Sequence, residues 1–99
     1  MPAYFIAQYV VKDPKLYREY QIAGGPTMQA HGGELVSFDV ASETIEGTPP
    51  GPVTVVVKFE STEAAKAWYR SPAYQAVVGK RLASTNGFAV ISQSMNLKG

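Results

Sequence analysis

The order in which the hydrophobic pattern changes period constrains this chain more than any other feature. The run AYFIAQYVV (residues 3–11) is dense in Tyr, Phe, Ile and Val and reads as a first strand. Asp13 follows as an N-cap, with Pro14 at the first helical position, where a missing N–H costs nothing. The helix they start puts Leu16, Tyr20 and Ala23 on one face, with Tyr17 beside it. Gly24-Gly25-Pro26 is expected to interrupt this helix. A short turn then restarts through Met28 and His31, and Gly32-Gly33 ends it. ELVSFDVA (34–41) and VTVVVKFE (53–60) read as strands two and three, the latter with Val53, Val55, Val57 and Phe59 on one face. The polar, Pro/Gly-rich SETIEGTPPGP (42–52) between them is longer than a tight hairpin turn. Ser61 caps a second helix with Ala64, Ala67 and Trp68 inward, and Glu63 sits in its favourable first turn. Ser71-Pro72 breaks it and starts a further segment, whose inward stripe is Tyr74, Val77, Val78, Arg81 and Leu82. Asn86-Gly87 is a turn signal, FAVISQ (88–93) a fourth strand, and SMNLKG (94–99) a loose tail.

The order is therefore β-α-β-β-α-β. Two right-handed crossovers give an α+β, ferredoxin-like fold: a four-stranded antiparallel sheet with both helices on one face. The 99 residues suffice for one domain over 1–99. Such a sheet leaves its second face bare, and in a monomer that face should be polar. Here the first strand is apolar or aromatic on both faces: Tyr4, Ile6 and Val10 on one, Phe5, Ala7, Tyr9 and Val11 on the other. A half-apolar sheet face needs a cover, and a second copy related by a two-fold axis is the simplest one. A charged fraction of only 17% agrees with a partly covered surface. A homodimer is expected, against the alternative of a monomer with scattered surface apolars.

Several function classes lose their footing. The nine Lys and Arg residues are dispersed and the net charge is +1, so there is no basic stripe for nucleic acid. There is no cysteine, hence no disulfide framework or thiol chemistry. The start lacks a signal-peptide pattern and is too short for a membrane span, so a cytoplasmic protein without a membrane partner is the default. One His and no Cys argue against a metal site, and no cofactor is expected. A haem on His31 alone would need an apolar slot beside it, which the sequence does not offer. Gly32-Gly33 follows a helix where a phosphate loop would precede one, and no nucleophile has an evident base.

The candidate site residues lie on the helices. Tyr17, Tyr20, Trp68, Tyr69 and Tyr74 are either aromatic core or the lining of a ligand cavity; buried, their phenol and indole donors need partners that a cavity would supply in part. Arg81 shares the stripe of Tyr74 and Val77. It either binds an anionic or carbonyl group of a ligand, or pairs with a carboxylate such as Glu19 or Asp39, or with strand-end carbonyls. His31 is the one side chain that titrates near neutrality. It is either an acid or base at the cavity mouth, with Glu34 nearby, or an imidazole favoured by a helix C-terminus. Two functions follow: a small dimeric protein that binds or converts an organic molecule in a helix–sheet cavity without a cofactor, or a non-catalytic homodimeric interaction module.

YREYQ (17–21), HGGELV (31–36) and VVVKFES followed by EAAKAWYRSPAYQAVVGKRLAS (55–84) resemble the small-protein family called domain of unknown function 1330. The resemblance spans nearly the whole chain and is most specific over 64–82. It implies the dimeric α/β-barrel superfamily. Cofactor-free monooxygenases, lactone isomerases, chlorite dismutases, dye-decolourising peroxidases and stress-responsive proteins share that superfamily, and the family itself has no settled activity. One departure is plain: residues 42–52 carry no aromatic where many relatives would have one.

Overall fold

Alternation in the first strand decides which way the sheet faces. In the computed structural model, which describes residues 1–95, β1 (Ala3–Val11) buries Ala3, Phe5, Ala7 and Tyr9 and leaves Tyr4, Ile6, Gln8 and Val10 half-exposed. It is a central strand. β3 (Val53–Phe59) pairs with it in register Ala3↔Phe59 to Tyr9↔Val53, and β4 (Thr85–Gln93) on its other side from Ala3↔Gln93 to Val11↔Thr85. β2 (Glu34–Asp39) adds to the outer edge of β3. The order is β2-β3-β1-β4, antiparallel throughout, as the βαββαβ pattern requires. The fold is ferredoxin-like, with the helices packed against the face that carries Phe5 and Tyr9.

α1 (Pro14–Ala30) starts as expected, with the Asp13 carboxylate accepting from the Leu16 N–H at 3.1 Å. It does not stop at Gly24-Gly25-Pro26, which is a correction to the sequence expectation. One continuous helix runs through Pro26 to Ala30, with His31 as its C-cap. A proline inside a helix deprives the carbonyl four residues back of its donor, here that of Ile22. Ile22 is on the outer face at 67% exposure, where water can serve that carbonyl. The glycines are tolerated because Gly24 packs edge-on to the Tyr20 ring. The inward face is therefore Tyr17, Tyr20, Gly24 and Met28 rather than one centred on Leu16 and Ala23.

α2 (Thr62–Arg70) and α3 (Pro72–Ser84) are separate helices, so the layer holds three helical segments. Ser71 joins them: its hydroxyl donates to the Trp68 carbonyl at 2.7 Å and accepts from the Tyr74 N–H at 3.2 Å. One side chain thus closes α2 and caps α3, fixing Trp68 against Tyr74. Ala65 and Trp68 are the buried residues of α2, and Ala67, expected inward, is exposed. In α3 the buried set is Tyr74, Val78, Arg81 and Ser84; Leu82, expected with them, is 58% exposed. The 3.6-residue period selects 74, 78 and 81 and puts 82 on the flank.

β4 begins at Thr85, so Asn86-Gly87 lies inside the strand instead of turning into it. Gly87 pairs with Tyr9, and a Cβ there would collide with the Gln8 carbonyl oxygen and the Tyr9 backbone. The glycine signals close backbone approach, the other meaning of glycine in a strand. Of the tail, Ser94 is tied by its N–H to the Pro2 carbonyl at 2.9 Å, and residues 96–99 lie outside the described residues. No helix among the described residues is long and apolar enough to cross a membrane.

Gly87→Val should destabilise the fold by roughly 1–3 kcal/mol, the usual cost of forcing atoms into a filled site. Urea denaturation checks this; an unchanged midpoint would show that β4 shifts freely against β1.

Candidate functional site

α1 packs mainly on α3 and stands off the sheet. Two backbone bonds anchor this pairing at one end, Lys12 N–H and Asp13 N–H both donating to the Ser84 carbonyl, at 2.7 and 3.2 Å. Under the raised helix, over β3 and β2, is a cavity of about 190 Å³. A cavity of about 150 Å³ accepts a benzene ring, so this one has room for a ring-sized molecule. Its floor is Phe5, Tyr9, Val55 and Val57; its roof is Tyr17, Tyr20, Gln21, Gly24, Gly25 and Met28, with Trp68 at one side.

The edge strand contributes through an irregularity. Leu35 pairs with Val57 and Phe38 with Val55, although Phe38 is three positions after Leu35. A regular strand would send them to opposite faces. The register shift between Leu35 and Ser37 inserts one extra residue and turns both toward the cavity.

Of the residues singled out from sequence, Tyr17, Tyr20 and Trp68 line this cavity. Tyr74 and Arg81 do not; they stand behind it. Trp68 is 2% exposed and Tyr74 wholly buried, with ring centroids 4.2 Å apart. The Trp68 indole N–H donates to Thr27 Oγ1 at 3.1 Å, and that hydroxyl to the Gly24 carbonyl at 2.6 Å. The phenols meet in pairs: Tyr9 with Tyr17 at 2.7 Å and Tyr20 with Tyr74 at 2.8 Å. The aromatics are therefore core and cavity wall at once, with donors satisfied mostly among themselves.

Arg81 is 4% exposed. Neither carboxylate considered from sequence reaches it: Glu19 pairs with Lys80 at 3.0 Å on the surface, and Asp39 accepts from the Ala41 N–H. Its guanidinium carbon stands 5.9 Å from the ring centres of both Phe5 and Tyr9, within the range of cation–π attraction. Its Nε is buried with no hydrogen-bond partner. Burial disfavours the charge, but the neighbouring hydroxyls of Tyr74, Tyr20 and Tyr9 outweigh that and keep it protonated above its ordinary value.

His31 caps the C-terminus of α1 and is absent from the cavity lining. Its Nδ1 lies 3.0 Å from the Thr27 carbonyl; a carbonyl only accepts, so Nδ1–H donates. Among the described residues no three His, Cys, Asp or Glu side chains gather as metal ligands would. Phe5, Tyr9, Met28, Leu35 and Phe38 were not singled out from sequence, although alternation had already put Phe5 and Tyr9 on one strand face. No local signal marks the bulge that recruits Leu35 and Phe38.

Burial pushes the Tyr9, Tyr17 and Tyr20 phenols above the ordinary value of 10.0, and the mutual hydrogen bonds raise Tyr9 and Tyr20 further. The folded chain holds these protons more tightly than the unfolded chain. Their contribution to stability is fully present below about pH 10 and is lost as pH rises toward the folded-state values. An alkaline titration should show phenolate absorbance from these three residues emerging together with loss of circular dichroism. Their ionisation in an intact fold would contradict the burial described here.

The fold recurs in solved structures. A protein of unknown function from Rhodopseudomonas palustris matches with a TM-score of 0.78 at 16% identity, over 96% of this chain and 83% of that one. SnoaB, a cofactor-independent oxygenase from Streptomyces nogalater, matches at 0.69 and 9% identity, over 96% and 94%. A dimeric protein of unknown function with a ferredoxin-like fold from Bacteroides fragilis matches at 0.62 and 10% identity, over 94% and 96%. At these identities the likeness is one of fold. A comparison with curated proteins gives no match. The sequence itself settles the family: residues 2–95 match the model of Domain of unknown function (DUF1330), and the chain belongs to that family.

Proposed function

We propose that this protein binds one small, largely apolar organic molecule in the cavity beneath α1, as a homodimer joined through the bare face of its sheet. The observation that carries the binding function is the cavity itself, a pre-formed space of about 190 Å³ walled by aromatic rings with a few hydroxyl and amide groups among them. Ligand sites in proteins have this make-up: apolar walls for affinity and a small number of placed polar groups for orientation. Tyr17, Tyr20 and Trp68 touch the ligand. Tyr74 and Arg81 hold the tyrosines from behind. Conversion of the ligand without a cofactor would rely on positioning and on hydrogen bonds from the phenols. The fold shared with a cofactor-independent oxygenase is compatible with such chemistry and goes no further than fold. His31 would take part only if its ring left Thr27, so it is not assigned a role in the site. The cytoplasm is kept as the compartment by default of the sequence.

Support for the homodimer comes from the second face of the sheet. Tyr4, Ile6, Val10 and Val56 are half-exposed there, and Phe88 and Val90 are each 48% exposed on the same side by register. A contiguous apolar patch of this kind calls for a partner. The dimeric neighbour from Bacteroides fragilis has the same fold.

Two variants test the two halves separately. Val55 faces the cavity, and Val55→Phe should fill it, weakening binding of a ring-sized ligand by about tenfold or more while the fold is kept. Undiminished binding would place the ligand elsewhere. Val90→Glu sets a charge on the bare sheet face and should give a folded monomer by native mass spectrometry. A dimer that survives this substitution would use another surface.

A further inference from the structure

We infer that the cavity selects an apolar molecule ending in an anionic oxygen group, of which a carboxylate is the simplest, seated against the Tyr17 and Tyr20 hydroxyls with Arg81 supplying positive field from one side chain behind. This rests on the cavity binding proposed above and adds the charge of the ligand.

The first ground is an uncompensated charge. A buried cation normally has a carboxylate beside it, because an unpaired one costs several kcal/mol by the usual rule. Arg81 is 4% exposed, no described carboxylate pairs with it, and its Nε has no acceptor. Aromatic faces and neutral hydroxyls favour the cation but bring no negative charge, so the net charge stays in place.

The second ground is position. The guanidinium lies over Phe5 and Tyr9, and both rings also form the cavity floor. One ring separates the charge from the space. In an apolar surrounding a positive charge at that range is weakly screened, so a negative group in the cavity is favoured and a second positive one opposed.

The third ground is donor accounting. Each tyrosine pair has two O–H groups and one mutual bond, so one hydrogen is left over per pair. Arginine only donates, so hydroxyls beside it turn their oxygens toward it and their hydrogens away. In the Tyr20–Tyr74 pair either oxygen can donate, and whichever accepts keeps a free hydrogen. Tyr17 and Tyr20 both line the cavity, so a spare hydrogen carried by either is offered to it. Burial keeps these phenols protonated, which makes them donors and not bases. The wall therefore offers O–H donors under a positive field, and its complement is an oxygen acceptor with negative charge.

The test uses 2-naphthoate and its neutral isostere 2-naphthamide, with benzoate and benzamide as smaller probes. Binding is read by the fluorescence of Trp68, the one tryptophan of the chain, which lines the cavity. Naphthoate should bind about tenfold or more tighter than naphthamide, the usual scale for a hydrogen bond to a charged group. That ratio should survive in Arg81→Lys, fall in Tyr20→Phe, and vanish in Arg81→Met. A merely structural arginine would weaken both probes alike and leave the ratio unchanged. Equal binding of acid and amide by the wild-type protein would overturn the charge selection and leave the cavity function standing. Failure of all four probes would remove the cavity function, and this inference with it. Should Arg81→Met fail to fold, the wild-type ratio and the Tyr20→Phe ratio decide.

Discussion

A guanidinium buried with no described carboxylate beside it sets the terms for the helix layer. Arg81 reaches inward from α3 and is held by the faces of Phe5 and Tyr9 and by tyrosine hydroxyls. A cation so placed needs electron-rich surroundings, and four tyrosines from three elements supply them: Tyr9 from β1, Tyr17 and Tyr20 from α1, Tyr74 from α3. This ties α1 to α3 through the Tyr20–Tyr74 bond. It explains why phenols, where a core would ordinarily use Phe or Leu, occupy the inward positions.

The cavity follows from the same arrangement. α1 is drawn toward α3 by the Tyr20–Tyr74 bond and by the two backbone bonds to Ser84. It does not settle on the outer strands. Small residues on its inner face, Gly24 and Gly25, leave space where side chains would otherwise close the gap. β2 then turns Leu35 and Phe38 toward that space through its bulge, and they remain 52% and 43% exposed at its rim. The cavity is thus a consequence of helix pairing and strand register together.

Much of the fold was legible in the chain. β1 and β3 declared themselves by β-branched and aromatic density, and the caps at Asp13, Ser61 and Ser71 stand where expected because side-chain oxygen to N–H geometry is local. The errors share a cause. Gly24-Gly25-Pro26 and Asn86-Gly87 are breakers by local propensity. In the fold, tertiary packing holds the first in a helix, and close strand approach explains the glycine of the second. For the candidate site, periodicity correctly sent Tyr17, Tyr20, Trp68, Tyr74 and Arg81 inward, all of them buried or half-buried. It could not say which of them meet. His31 carried the strongest chemical signal of any single residue, and the fold sets it at the end of α1 with Nδ1–H bonded to the Thr27 carbonyl.

From the chain alone come the βαββαβ order, most of the inward positions, the apolar second sheet face and the lack of cysteine. These depend on residue type and on separations of a few positions, which the chain displays directly. The fold alone shows that no described carboxylate pairs with Arg81, that the phenols pair Tyr9 with Tyr17 and Tyr20 with Tyr74, and that a cavity opens between α1 and the sheet. Partners such as Tyr20 and Tyr74 lie 54 residues apart, and no local period encodes a distance that helix packing sets.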